Sequence, residues 1–163
     1  MINIAIIDDD KTFCDDFKEQ IKKIDNSYNT DCYYDINTFL ESVSSYNIAI
    51  IDIMLGKDNG IDIASAITEK YPNIKIIFIS VEQDFFQDVY SVNHLYFLVK
   101  PISNEQLKQA LSVCCSEINK QTLYTKLGSG TTAINLNDVS YFEGILKKTI
   151  VHYVNAPKQT LNE

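Results

Sequence analysis

Five side chains stand where an apolar run gives way to a loop, and all five are of types that handle metal or phosphate. Asp8 and Asp9 follow Asn3–Ile7, Asp52 follows Ile48–Ile51, Ser80 follows Ile74–Ile79, and Lys100 follows Leu95–Val99. Carboxylates held close together repel one another and raise each other's pKa, and a hard divalent cation relieves that repulsion. Oxygen ligands with few protein contacts suit Mg2+. The charge of Asp8, Asp9 and Asp52 would be roughly balanced by Mg2+ and the Lys100 ammonium. An incoming phosphoryl group could then be clamped between metal and ammonium. Asp52 is the natural nucleophile, because a carboxylate can form an acyl phosphate. Ser80 can donate a hydrogen bond to a phosphoryl oxygen. Taken singly, acidic residues after a strand also mark a solvated helix start, and Ser80 also fits an ordinary turn. The set stands out because four strand ends together supply ligands, nucleophile, donor and cation.

Five strands are needed to position them. Asn3–Ile7, Ile48–Ile51, Ile74–Ile79 and Leu95–Val99 are short apolar runs, as expected of strands buried on both faces of a parallel sheet, and Asp31–Tyr34 is a weaker fifth. Helices are expected between them. Phe13, Phe17, Ile21 and Ile24 mark one helical face; Phe39, Leu40 and Val43 line a short helix; Ile61, Ala64 and Ile67 mark a third, stopped at Tyr71-Pro72-Asn73. The stretch Asp84–Asn93 reads as a helix. Ser103 and Gln106 have capping-box spacing ahead of a helix bearing Leu107, Leu111, Cys114 and Ile118. Strand–helix alternation of this kind implies an α/β fold: a five-stranded, doubly wound parallel sheet, with ligands at the carboxyl edge.

From about Gln121 the pattern becomes all-β. Leu123–Leu127, Thr132–Leu136, Val139–Glu143 and Lys148–Val154 read as short strands, with turns at Gly128-Ser129-Gly130 and Asn137-Asp138. The expected division is therefore 1–121 and 122–163.

The net charge is -8. Residues 1–120 carry 10 Lys against 19 Asp and Glu, whereas 121–163 carry 4 Lys against 3. The first part would repel a phosphate backbone, so nucleic-acid contact would have to come from the second. All 14 basic residues are Lys, which removes the usual bidentate reader of guanine. Cys14, Cys32, Cys114 and Cys115 match no zinc spacing and are expected to be reduced. Asp8-Asp9-Asp10 arrives too early for a signal peptide, and no apolar run approaches a membrane span. A cytoplasmic protein without a membrane partner is expected.

Residues 1 to about 120 resemble a response-regulator receiver domain. The resemblance is carried by Ile6-Ile7-Asp8-Asp9-Asp10, by Ile51-Asp52-Ile53-Met54-Leu55 with Gly60, by Ile79-Ser80, and by Leu98-Val99-Lys100-Pro101. It implies that Asp52 receives phosphate from the phosphohistidine of a sensor histidine kinase. It implies Mg2+ on Asp9, Asp52 and the Met54 backbone carbonyl, with Asp8 assisting through water, and a phosphoryl group held by Ser80 and Lys100. It also implies a switch pair, Ser80 and Phe97, where most relatives have Tyr in place of Phe97. Phosphorylation is expected to favour a homodimer through the face around the fifth strand.

The tail resembles the opening of a LytTR-type DNA-binding domain, through Ile134-Asn-Leu-Asn-Asp-Val-Ser-Tyr-Phe-Glu143 and a basic turn at Lys147-Lys148. Lys147, Lys148 and His152 are candidate DNA contacts. The tail corresponds to less than half of such a domain, so the chain reads as a fragment or a truncation, and promoter DNA is an expected partner only where that domain is complete. The chain thus reads as a transcriptional switch rather than an enzyme. One alternative is a receiver that works through protein contacts alone. A second is a haloacid-dehalogenase-type phosphatase, suggested by Asp8-x-Asp10-x-Thr12. That reading lacks a further acidic pair, since the helix after Lys100 offers only Glu105 and Glu117.

Overall fold

The computed structural model describes residues 2–82, 85, 88–120, 122–127, 130–145, 148–154 and 157–162. Its contacts divide the chain into two units, Met1–Cys115 and Ser116–Glu163.

The first unit is built on five parallel strands: β1 (Asn3–Ile7), β2 (Asn29–Tyr33), β3 (Ile48–Asp52), β4 (Lys75–Ser80) and β5 (Tyr96–Val99). Their order across the sheet is β2-β1-β3-β4-β5. Strand order reverses between β1 and β3, and in open α/β sheets such a switch point leaves a crevice at the carboxyl edge. Side chains alternate between the two faces of a strand. Ala5, Ile7, Ala49, Ile51, Ile76 and Phe78 share one face with Phe39 and Val43 and with Ile61, Ala64 and Ile67. The latter two groups come from α2 (Ile36–Ser42) with the turn after it, and from α3 (Gly60–Lys70). Ile4, Ile6, Ile48, Ile50, Ile77 and Ile79 face the other way and are also fully buried. That face is left to α1 (Lys11–Ile24) and α4 (Asn104–Lys120), whose buried positions are Cys14, Phe17 and Ile21, and Leu107, Ala110, Leu111 and Cys114. Each buried isoleucine contributes on the order of 1.5–3 kcal/mol, so β1, β3 and β4 form a stiff base for whatever stands at their ends.

The helix ends follow the sequence closely. Asp10 caps α1 by accepting from the Phe13 amide, and Asp35 caps α2 by accepting from the Thr38 amide. Ser103 and Gln106 form the reciprocal capping box, each backbone amide donating to the other's side chain at 3.0 and 3.2 Å.

Two expectations are corrected here. Leu40 is exposed rather than part of the core, because a helix this short turns only one narrow stripe inward and Phe39 takes it. Of the helix expected over Asp84–Asn93, the described residues show 3-10 conformation at Phe85 and a 3-10 turn at Asp88–Ser91; residues 84, 86 and 87 lie outside the described set. Val89 and Val92 are both buried. Their three-residue spacing and the Val92 amide bond to the Val89 carbonyl suit 3-10 geometry better than an α-turn.

The second unit contains a hairpin of β6 (Thr122–Leu127) and β7 (Gly130–Asn135). It also contains an antiparallel sheet of β8 (Val139–Ile145), β9 (Lys148–Tyr153) and β10 (Gln159–Asn162), in that order. Ile134, Val151 and Leu161 form its core, with Val139 and Tyr153 packed against them. β10 was not expected from sequence, since Leu161 is its only apolar residue. The expected turn residues Gly128 and Ser129, and Lys147, lie outside the described residues.

Candidate functional site

Asp8, Asp52 and Lys100 meet at the carboxyl edge of the sheet. The register sets Ile7 against Ile51, Asp52 against Ile79, and Ser80 against Val99, so residues leaving β1, β3, β4 and β5 emerge along one edge. Lys100 Nζ lies 2.6 Å from Asp8 Oδ2 and 2.6 Å from Asp52 Oδ2. The three groups are largely withdrawn from water: Asp8 is 1% exposed, Asp52 8%, and the lysine side chain 14%.

The other oxygen of each carboxylate is held by backbone. Asp8 Oδ1 accepts from the Asp10 amide at 2.9 Å, and Asp52 Oδ1 accepts from the Met54 amide at 3.1 Å. Both carboxylates are therefore fixed in plane, each with one oxygen turned toward the lysine. Burial raises the Asp8 pKa above the ordinary carboxylate range, against the opposing pull of Lys100 and the Asp10 amide. Burial would also push Lys100 down, but its bonds to Asp52 and Asp8 outweigh this and its pKa lies above the usual value. Lys100 thus remains an ammonium shared between two acids.

The neighbouring loops close on this point. The Ile53 amide donates to the Ile79 carbonyl, the Lys100 amide to the Ser80 carbonyl, and the Gly60 amide to the Ile53 carbonyl. Gly60 lies so close to β3 that a Cβ there would stand 2.1 Å from the Asp52 carbonyl oxygen. Gly56 adopts φ +60, a left-handed conformation that favours glycine. A Cβ at Gly56 would sit 3.7 Å from Asp9 Oδ2, so the Asp9 carboxylate reaches toward the turn after β3.

The expected site residues separate as follows. Asp8, Asp52 and Lys100 are in direct contact. Asp9 is exposed beside them. Ser80 is fully buried at the end of β4, where its hydroxyl oxygen accepts from the Glu82 amide at 3.1 Å. Met54 is exposed and pairs with Asn59 in a short antiparallel ladder, Met54–Leu55 with Asp58–Asn59. Phe97 is half-buried against the Phe39/Ile61 side of the core. Among the described residues, no three carboxylate, thiol or imidazole groups converge tightly enough to enclose a metal. The donors available are nevertheless hard oxygens, which is the chemistry Mg2+ selects. In the second unit Nε2 of His152 lies 2.9 Å from Glu143 Oε2, and the ring stacks on Tyr141. Lys147 is outside the described residues.

Sequence reading takes Phe13 only as part of the apolar face of α1, not as a site residue. Lys100 Nζ sits 4.0 Å from the centroid of its ring. Its i,i+4 spacing to Phe17 reads simply as a core pair, and the rings do stack, at 5.0 Å. The signal that points to it is the Asp10 cap, which sets Phe13 in the first turn of a helix that starts at the acidic strand end.

A doubly wound parallel sheet with two buried carboxylates and a lysine at its switch point is the class of protein defined so far. Residues 4–112 match the response regulator receiver domain family, and the chain belongs to that family. Among curated proteins, it is 26% identical over 114 residues to the sensory transduction protein LytT of Bacillus cereus, and 25% identical to that of Bacillus anthracis. The matched region is 68% of this chain and 46% of each relative, so the chain spans about half the length of the curated relatives it matches. Among solved structures, a response regulator receiver domain protein from Clostridium thermocellum is 21% identical, with a TM-score of 0.62 over 74% of this chain and 96% of that one. A CheY-like receiver domain protein from Methanospirillum hungatei is 19% identical, with a TM-score of 0.64 over 74% and 98%. The BeF3-activated DrrB receiver domain is 19% identical, with a TM-score of 0.63 over 71% and 98%. These structures are alike in fold.

Proposed function

We propose that Asp52 is the phosphoacceptor of this response regulator and takes its phosphoryl group from the phosphohistidine of a sensor histidine kinase. The observation that carries this reading is the Lys100 ammonium bonded at 2.6 Å to both Asp8 and Asp52. An Asp52 oxygen attacks phosphorus as the P–N bond breaks, and the nitrogen leaves with the bonding pair. The Met54 amide holds the carboxylate plane during the attack. Lys100, already within hydrogen-bond distance of Asp52, is placed to follow the new negative charge onto a phosphoryl oxygen. Ser80, rooted at the neighbouring strand end, supplies a hydroxyl to another. Asp8, Asp9, Asp52 and the Met54 carbonyl are the groups that would hold Mg2+. The ion, when bound, neutralises charge on the transferring phosphoryl group. Ser80 and Phe97 act as the switch pair, and phosphorylation favours a homodimer.

The output is transcriptional on this reading. Residues 1–121 act as the phosphoacceptor domain, and 122–163 as the opening of a LytTR-type DNA-binding domain working in the cytoplasm. The all-β second unit and the likeness to LytT proteins support it. Contact with DNA phosphates would come from Lys147, Lys148 and His152, the last with its Nε2 on Glu143. Asp52→Asn tests the central assignment: with phosphoramidate as donor, the variant should take up no hydroxylamine-sensitive phosphate. Undiminished labelling would place the phosphoryl group elsewhere.

A further inference from the structure

The Lys100 ammonium has three N–H donors. Two are spent on Asp8 Oδ2 and Asp52 Oδ2, each at 2.6 Å. The remaining side of the ammonium faces an aromatic ring, Phe13, at 4.0 Å from the centroid. That distance is well inside the ~6 Å range of a cation–π contact, and such contacts strengthen where water is excluded. The ring is itself held. Its face stacks on Phe17 at 5.0 Å and 22°, and Phe17 is buried. Its backbone amide donates to the Asp10 carboxylate at 3.0 Å, and the Asp10 amide donates to Asp8 Oδ1 at 2.9 Å. Phe13 and Asp8 are thus tied to one helix start, one on each side of the lysine. The ring and Lys100 both line a cleft of about 420 Å³, together with Asp16, Gln20, Pro101 and Ile102.

We propose that Phe13 is the positioning residue of Lys100: its ring face holds the ammonium against Asp52, and so sets the rate at which Asp52 is phosphorylated. The inference rests on the phosphoacceptor reading above. On this reading Phe13 acts on the reaction through the lysine. The contact is electrostatic, between the ammonium and the negative face of the ring quadrupole. Fluorination drains that face while leaving ring shape and packing almost unchanged, so it separates this role from a merely structural one.

The experiment replaces Phe13 alone with 4-fluoro-, 3,5-difluoro- and 3,4,5-trifluorophenylalanine in the full chain. Phosphorylation by phosphoramidate at saturating Mg2+ is followed by phosphate-affinity electrophoresis. In this reaction the Asp52 O–P bond forms as the P–N bond breaks, and the nitrogen departs as ammonia with the electron pair. The rate should fall stepwise with each fluorine, by about three- to ten-fold in total, as a cation–π contact of this kind warrants. Phe13→Leu should fall at least as far, and Phe13→Tyr, which keeps an electron-rich face, should stay within about two-fold. The urea unfolding midpoint should not change along the fluorine series. A flat rate across the series overturns the proposal, as does a rate that falls only in step with the midpoint. Asp52→Asn runs in parallel: if it still incorporates phosphate, the phosphoacceptor reading fails and this inference with it. If it does not and the fluorine series is flat, only the role of Phe13 fails.

Discussion

Gly60→Ala isolates the steric condition on which the position of Asp52 depends. Gly60 opens α3, with Asn59 as its cap and its own amide bonded to the Ile53 carbonyl at 2.9 Å. By helix propensity alone the substitution is favourable by up to about 1 kcal/mol. Packing says the opposite. The alanine methyl would stand 2.1 Å from the Asp52 carbonyl oxygen and 3.0 Å from both the Asp52 carbonyl carbon and Ile53 Cα. Ordinary contact begins at 3.4 Å, so the start of α3 and the end of β3 must part by roughly 1.3 Å. All three obstructing atoms are backbone, and β3 is buried along its whole length, so no flexible side chain can give way. Overpacking of this kind costs about 1–3 kcal/mol, and stretching the Gly60–Ile53 hydrogen bond adds about 1 kcal/mol. Set against the propensity gain, the net expectation is a loss of about 1–3 kcal/mol.

Urea unfolding measures this directly, with Ser65→Ala as the control. Ser65 lies on the exposed side of the same helix, so that variant reports propensity without the clash and should be neutral or slightly stabilised. The same displacement moves the Asp52 carboxylate relative to Lys100, and misplacement on the order of 1 Å costs about 10²-fold in rate. Phosphoramidate labelling of Gly60→Ala should therefore fall at least about ten-fold. A Gly60→Ala protein as stable as the parent would refute the reasoning, because it would mean that β3 and α3 can separate freely.

Two further expectations concern the charged cluster. Lys100→Ala leaves two buried carboxylates without their shared cation. It should destabilise the protein at neutral pH by about 3–5 kcal/mol, and added Mg2+ should restore part of that loss; an unchanged urea midpoint would count against it. Asp8 has a raised pKa in the folded protein, so the native state binds its proton more tightly than the unfolded chain does. The resulting stabilisation is complete below the unfolded value of 3.8 and is lost as pH rises through the folded one. Asp8→Asn should lack that decline. The difference in unfolding free energy between variant and parent, followed in urea from pH 4 to 7, should shift in favour of the variant as pH rises; a constant difference would be incompatible with the burial of Asp8.

Much of the site is legible in the sequence because strand ends are a local signal. An apolar run that stops at a polar residue marks the carboxyl edge, and each of Asp8, Asp52, Ser80 and Lys100 carries that mark. Which of these residues touch is a different kind of information. The lysine is 92 residues from Asp8 and 48 from Asp52, and their contact follows from the order β2-β1-β3-β4-β5. The pair Asp8-Asp9 shows the limit most clearly. The two have the same chemistry and adjacent positions, yet Asp8 is buried on the lysine while Asp9 is exposed near Gly56. Leu40 and β10 fail for related reasons. Leu40 has a core-type side chain on a helix with too narrow a buried stripe, and β10 has one apolar residue and gains its place by pairing with β9.

Phe13 lies between these cases. Its type and spacing are those of a core residue, and half of its surroundings, the Phe17 stack, agree. The other half is a charge that arrives from the far end of the sheet. A ring in the first turn of a helix that begins at an acidic strand end can touch whatever cation the sheet order delivers to that edge. In this fold the cation is Lys100. The geometry of the lysine therefore depends jointly on β1, β3, β5 and the first turn of α1, and a change in any of these four should register at Asp52.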